Sequence, residues 1–461
     1  MLVALQTHHR RLCLVLAALT GGCATDFVDE STTSSAVTPR SVPATIVPIT
    51  INVSPGDQGN PRVDGDIAAY TSDLQIRYYR FSTGVDTPIP LGPSARDLLS
   101  SVSGSRIAFS RIIPAAPAVT AAVVVFDVST HTLTEIDPAL GTTRLGSAIA
   151  GGAVAYIDFG LQANGELVLH EDLVAGARTL RLTNDTNPDQ NPFFSSDGTV
   201  VVWEHCNSSL SNCDILQAVR TINTQVGFPV WTLSVVAATP NQETNPDTNG
   251  TLVVYDSFRA GNSDIYWAPV SNSGGPSQVP AETRLELPGF ESTPRIAGNF
   301  IVFESRPGLL DVSDLYLYDL INNLLYQVTS TPLVTEQLSD VAILPDGTIR
   351  LVWASDEDGS SQRNVRGATI TPSPSLLLGL VEQVSLLPKF GPGIGSFLNG
   401  LIVKLEHVLI AVQAGDTATA CSDLKAFINQ VNAQSGKKIA TQDAISLIAA
   451  ADAIRAGVGC P

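Results

Sequence analysis

Along the middle of the chain a short apolar run ending in an aromatic residue recurs seven times: IAAY to Tyr70, IAF to Phe109, VAY to Tyr156, VVVW to Trp203, LVVY to Tyr255, IVF to Phe303 and LVW to Trp353. The spacings are 39, 47, 47, 52, 48 and 50 residues, each the length of one four-stranded antiparallel unit. Turn signals precede several of these runs: Asn60-Pro61 with Gly65, Asn191-Pro192 with Asp197-Gly198, Asn245-Pro246 with Asn249-Gly250, Pro294 with Gly298, and Asp346-Gly347. Asn-Gly and Asp-Gly supply the positive φ that tight hairpins require. A further run follows the aromatic, as in DIL from Asp214, DIYW from Asp264 and DLYLY from Asp314, with VVVF at 123–126 and LVL at 167–169 in the same place. A fourth run closes the unit, as in LRLT at 180–183 and LYQVT at 325–329.

Each unit leaves an apolar face that only a neighbouring unit can cover, so the array must close on itself or be capped. Closure predicts an all-β fold, a β-propeller. Seven units argue for seven blades; six or eight stay open, because the first unit is short and irregular. The last unit lacks a fourth strand after Asn364–Ile370, and the run Thr45–Val53 ahead of the first unit is placed to supply it.

Past Pro372-Ser373-Pro374 the period changes to helical. Leu377, Leu380, Val381 and Val384 form one stripe; Ile394, Phe397, Leu398, Leu401, Ile402, Leu405, Leu409 and Val412 form a longer one. A third helix presents Leu424, Phe427, Ile428 and Val431, and a fourth, opened by Thr441 and Asp443, presents Ala444, Leu447, Ile448 and Ala451. A small α-helical C-terminal domain is expected over 372–461.

At the other end, basic residues from His8 to Arg11 lead into an apolar segment that closes on Thr20-Gly21-Gly22-Cys23. The apolar stretch is too short to span a ~30 Å hydrocarbon core, so 1–22 reads as a signal peptide. Residues 23–44, rich in Thr, Ser, Ala and Val with prolines at 39 and 43, read as a flexible tether. The propeller is assigned to 45–371.

Charge refines this picture. Only 15% of residues are charged, and the formal net charge is -18. All five lysines lie at 389 or later; the tail from 372 sums to zero, the signal carries Arg10 and Arg11, and -20 falls on 23–371. Such a field repels phosphate backbones, which excludes nucleic acid as a partner. Cysteine usage points to an oxidising compartment. With Cys13 in the signal and Cys23 at its end, Cys206 and Cys213 pair within one segment and Cys421 and Cys460 within another; two disulfides are expected rather than a zinc site, since His205 is the sole nearby histidine.

Three resemblances add to this reading. Small residues before Cys23 resemble the lipobox of bacterial lipoproteins, although Thr20 stands where that family has leucine; this implies lipidation of Cys23 and an exported envelope protein, at the outer membrane or facing the periplasm. Ordinary cleavage after Ala24, with secretion, is the alternative. The units Leu182-Thr183, Asn191-Pro192, Ser196-Asp197-Gly198 with VVVW, and Ser257 to Tyr266, resemble the repeat of TolB-type propellers over roughly 45–371, which implies a binding scaffold. Finally, Leu424 to Val431 with Ser435-Gly436-Lys437 resembles the FIMAH module of exported bacterial proteins, implying an accessory or interaction role without catalytic residues.

Catalytic motifs are scarce in the chain. There is no G-x-S-x-G nucleophile elbow and no H-E-x-x-H, and Ser435-Gly436-Lys437 lacks the upstream glycine of a P-loop. His131, His170 and His205 fall in different units, so a clustered-histidine metal site of the kind found in pectin-degrading propeller lyases needs the channel to bring them together. One pattern stands out: an acid follows the aromatic within three residues in six of the seven units, at Asp73, Asp158, Glu204, Asp256, Glu304 and Asp356. Equivalent positions share one face, which predicts an acidic ring that holds calcium or steers a basic partner; the alternative is that each acid pairs locally with an arginine, as Asp256 with Arg259 and Glu304 with Arg306, or caps a loop amide. The sequence therefore leads to a noncatalytic scaffold for a protein or glycan partner, needing no cofactor and meeting the membrane only through its lipid. The competing expectation is a carbohydrate-active lyase or hydrolase working in the channel.

Overall fold

A computed structural model describes residues 34–41, 44–92, 94–114, 119–138, 141–173, 176–222, 229–271, 281–356, 362–388 and 393–460. The signal segment and Cys23 lie outside these residues. Seven four-stranded antiparallel sheets follow one another, and their first strands contact in a closed cycle from Gln58–Asp64 round to Glu336–Ile343 and back. This is a seven-bladed propeller, followed by four helices.

The recurring aromatics all sit on second strands. Tyr70, Phe109, Tyr156, Trp203, Tyr255 and Phe303 have no exposed surface and Trp353 has 7%. Each belongs to an apolar cluster shared between adjacent sheets, as when Trp203 packs with Leu167 and Leu169 of the blade before it. The seventh blade is completed by Thr45–Asn52, which lies antiparallel to Asn364–Thr371 with Ile46 opposite Ile370 and Ile49 opposite Gly367.

Part of the stretch read as a free tether is structured. Ser35–Val37 runs parallel to Thr283–Leu285 on the outer edge of blade 5, and Arg40–Ser41 runs parallel to Leu324–Leu325 on blade 6. Backbone pairing at a sheet edge asks nothing of side chains, so a Ser/Thr/Pro-rich composition does not reveal it. The N-terminal segment therefore borders three consecutive blades.

The helices span Ser373–Leu386, Ile394–Gln413, Thr417–Gln434 and Thr441–Val458. Asp416 caps the third, its side chain accepting from the Thr419 amide. One apolar core runs without a break from Leu317, Trp353 and Ile370 of the propeller to Leu377, Leu401, Phe427 and Ile454 of the helices. By length and composition Ile394–Val412 would suffice to cross a membrane, but Leu401, Leu405 and Val408 are buried against this core. Both expected disulfides are present: Cys206–Cys213 joins directly opposed residues of the second and third strands of blade 4, and Cys421–Cys460 joins the third helix to the end of the fourth.

Candidate functional site

The site is set by an irregularity shared by all seven first strands. Pairing with the second strand slips between Gly59 and Arg62, Leu98 and Ser101, Leu145 and Ala148, Gln190 and Phe193, Thr244 and Asp247, Ser292 and Arg295, and Gln337 and Asp340. At these bulges Asn60, Asn191, Asn245, Thr293 and Leu338 are left-handed, with φ of 50–57°. Asn tolerates that conformation, and the proline that follows at 61, 192, 246 and 294 has no N–H to leave unpaired where the ladder breaks. The Asn-Pro pairs that read as turns in the sequence thus lie inside strands, and the turns fall on Gly65, Gly198, Gly298 and Gly347.

Bulge amides explain three of the six acids predicted to form a ring. Glu204 accepts from the Asn245 amide at 2.7 Å, Asp256 from the Thr293 amide at 3.2 Å, and Glu304 from the Leu338 amide at 2.7 Å, each reaching the next blade. They link neighbouring blades. Asp158 instead pairs with Arg144 at 2.8 Å, Asp73 accepts from the Asp57 amide at 3.0 Å, and Asp356 accepts from the Thr335 amide at 2.5 Å. Arg259, expected beside Asp256, pairs with Glu282 at 2.7 Å and lies over the Tyr266 ring. Among the described residues the only three metal-type ligands in close reach are Glu204, Cys206 and Cys213, and the two sulfurs are bonded to each other.

Two further rings escaped the sequence reading. The first opens the first strands: Gln58, Asp97, Arg144, Asp189, Glu243, Glu291 and Glu336 occupy equivalent positions. Asp97 pairs with Arg111 at 2.8 Å and Asp189 with His205 at 2.8 Å, but Glu243 and Glu291 meet the hydroxyls of Ser257 and Ser305. Burial pushes Glu243, Glu291 and Glu336 up to about 7. A signal for this ring is present in the sequence, since an acid or Gln stands two residues before the bulge at Gln58, Asp189, Glu243, Glu291 and Glu336.

The second ring follows the bulge on the first strands, which close the cycle around the axis: Arg62, Ser101, Ala148, Phe193, Asp247, Arg295 and Asp340, one from each blade. Arg62 of blade 1 and Arg295 of blade 6 both reach across to the Phe193 ring of blade 4, 5.2 and 4.1 Å from its centroid. Asp340 accepts from the Val63 amide and Asp247 from the Ile296 amide, both at 2.8 Å, so these carboxylates also tie adjacent blades. Burial lifts Asp247 to about 6.

The histidines do not converge. His131 sits in an exposed hairpin turn of blade 2; His205 is held by Asp189, whose hydrogen bond raises it above the ordinary imidazole value. His170 lies between Asp137 at 2.9 Å and Asp172 at 3.4 Å, lining a cavity of about 370 Å³ with Arg106, Asp127 and Glu135.

No protein-family description matches the chain, and no curated protein does. Solved structures to which it is similar include the tricorn protease (12% identity, 87% of this chain and 42% of that one, TM-score 0.43). TolB from Acinetobacter baumannii is another (16% identity, 68% and 79%, TM-score 0.37), as is an oligogalacturonate lyase in complex with manganese (11% identity, 74% and 99%, TM-score 0.46). The chain spans less than half the length of the tricorn protease. Peptidase, lyase and TolB share the likeness, and at such identities it concerns the fold alone.

Proposed function

We propose that the protein is a noncatalytic binding scaffold of the bacterial cell envelope, presented by a lipid on Cys23. The observation that carries this reading is the channel ring: its seven positions hold two arginines, two aspartates, Phe193, Ser101 and Ala148, a set suited to recognition, with both aspartates engaged by backbone amides. The partner is a protein or a glycan. Support for export comes from the two disulfides, which an oxidising compartment maintains. The second reading, a carbohydrate-active lyase or hydrolase, has in its favour the cavity where His170 bridges Asp137 and Asp172.

Anchoring is tested by growing cells that express the chain on an alkyne-tagged fatty acid. The parent incorporates the tag and fractionates with membranes, whereas Cys23→Ala incorporates none and appears in the soluble fraction. Equal labelling of the two would end the lipid-anchor assignment.

A further inference from the structure

We propose that the channel contains a carboxylate-binding site, formed by the guanidinium groups of Arg62 and Arg295 beside the ring of Phe193. This deepens the scaffold reading and rests on it. The two arginines converge on one aromatic ring from different blades, at 5.2 and 4.1 Å. Among the described residues neither makes an ion pair, in contrast to Arg77, Arg111, Arg144, Arg178 and Arg259, which all do. Among the described residues Arg62 donates only to its neighbour's carbonyl, Pro61 O at 3.1 Å; Arg295 donates to Pro294 O at 2.7 Å and Asn245 O at 3.3 Å. Arg295 is only 4% exposed, and its Nε has no hydrogen-bond partner.

A buried N–H without an acceptor is destabilising, because it has lost its hydrogen bond to water without replacement. The nearby carboxylates leave this donor unmatched because Asp247 serves the Ile296 and Thr248 amides and Asp340 serves the Val63 amide. Burial, and then the charge of Arg295, draws Arg62 down to about 10 against the opposing pull of Asp340 and Asp247. A guanidinium fork matches a carboxylate in plane and spacing. Phe193 is the apolar member of the ring, and Ser101 and Ala148 are its small members. Asp247 and Asp340, alternating with the arginines around blades 5, 6, 7 and 1, disfavour a highly charged anion and so select a carboxylate on an otherwise neutral molecule.

Three matched pairs of probes test this on the intact protein at constant ionic strength: a tripeptide with a free C-terminus against its amide, glucuronate against glucose, and succinate against succinamide. Calorimetry and thermal shift should show binding by the carboxylate of at least one pair, with the neutral member at least tenfold weaker; which pair responds identifies the source. Arg62→Gln should retain the parent's circular dichroism and lose at least tenfold in affinity, while Arg62→Lys loses less. As a variant that does not remove a channel arginine, Ser101→Glu should place a carboxylate opposite the guanidiniums, raise Tm and abolish binding of the added probe. Equal response to neutral and charged members, parent-like binding by Arg62→Gln, or no binding in any pair would overturn the site. Failure of binding leaves the scaffold reading standing, whereas binding followed by consumption of the probe keeps the carboxylate site and ends the noncatalytic reading.

Discussion

Deletion of Thr45–Asn52 should abolish the single cooperative unfolding transition of the propeller. That strand is paired with Asn364–Thr371 at seven positions, and backbone hydrogen bonds are worth on the order of 1 kcal/mol each. It also delivers Ile51, 6% exposed, to the cluster that joins Val352 and Val365 of blade 7 to Val63 and Tyr70 of blade 1, a burial worth about 1.5–3 kcal/mol. On the outer side Ile46 packs against the core shared with the helices. The combined loss approaches the whole margin of a domain, about 5–15 kcal/mol. It also leaves the Asn364–Thr371 edge bare for association with other chains. Thermal melts followed by circular dichroism and light scattering should show a broad, aggregating transition in place of the parent's sharp one. A deletion variant that melts as the parent does would show that the ring closes by other means.

Stability should fall as pH rises from about 4.5 to about 7, and three buried glutamates should account for much of the slope. Glu243, Glu291 and Glu336 are held near 7 by burial, above the ordinary 4.5 of an unfolded chain. Across this window the folded chain retains protons that the unfolded chain has released, so ionisation favours unfolding by about 1.4 kcal/mol per pH unit and group. Below 4.5 both states are protonated and the contribution is intact; above about 7 it is lost. Glu291 and Glu336 each have a buried Oε2 without a hydrogen-bond partner, which an ionised carboxylate tolerates poorly. Urea unfolding at pH 5, 6, 7 and 8 should therefore show declining stability. Glu291→Gln and Glu336→Gln should flatten the decline and be more stable than the parent at pH 8, by roughly 1–3 kcal/mol. Slopes unchanged in both variants would remove burial as the cause.

Much of the architecture is legible in the residues because it rests on local period. A strand whose aromatic must be buried between two sheets repeats its apolar run at the spacing of a blade, from Tyr70 to Trp353, and the change to helical period at Pro372 is as plain. The site is less legible. One bulge per blade turns Arg62, Phe193, Asp247, Arg295 and Asp340 toward a common axis, although more than forty residues separate each from the next. Nothing local marks that convergence, and the Asn-Pro pairs that create it have the look of turns. Of the six acids after the aromatics only Glu204, Asp256 and Glu304 fall at equivalent places, opposite Gln190, Thr244 and Ser292, and they answer the need of the bulged amide in the next blade, a demand that exists only once the ring is closed. Ser35–Val37 and Arg40–Ser41 were hidden for another reason: they pair through backbone atoms with strand edges that lie about 250 and 280 residues away in the chain.

The noncatalytic reading meets its most direct test in a turnover assay. The purified protein is incubated with mixed oligosaccharides and peptides at pH 5–8, with and without calcium and manganese, and the substrates are followed by mass spectrometry. The account predicts that every substrate is recovered intact, with binding detected in parallel. Cleavage that proceeds with the parent and is lost in His170→Ala would contradict it and move the functional centre to the cavity between Asp137 and Asp172.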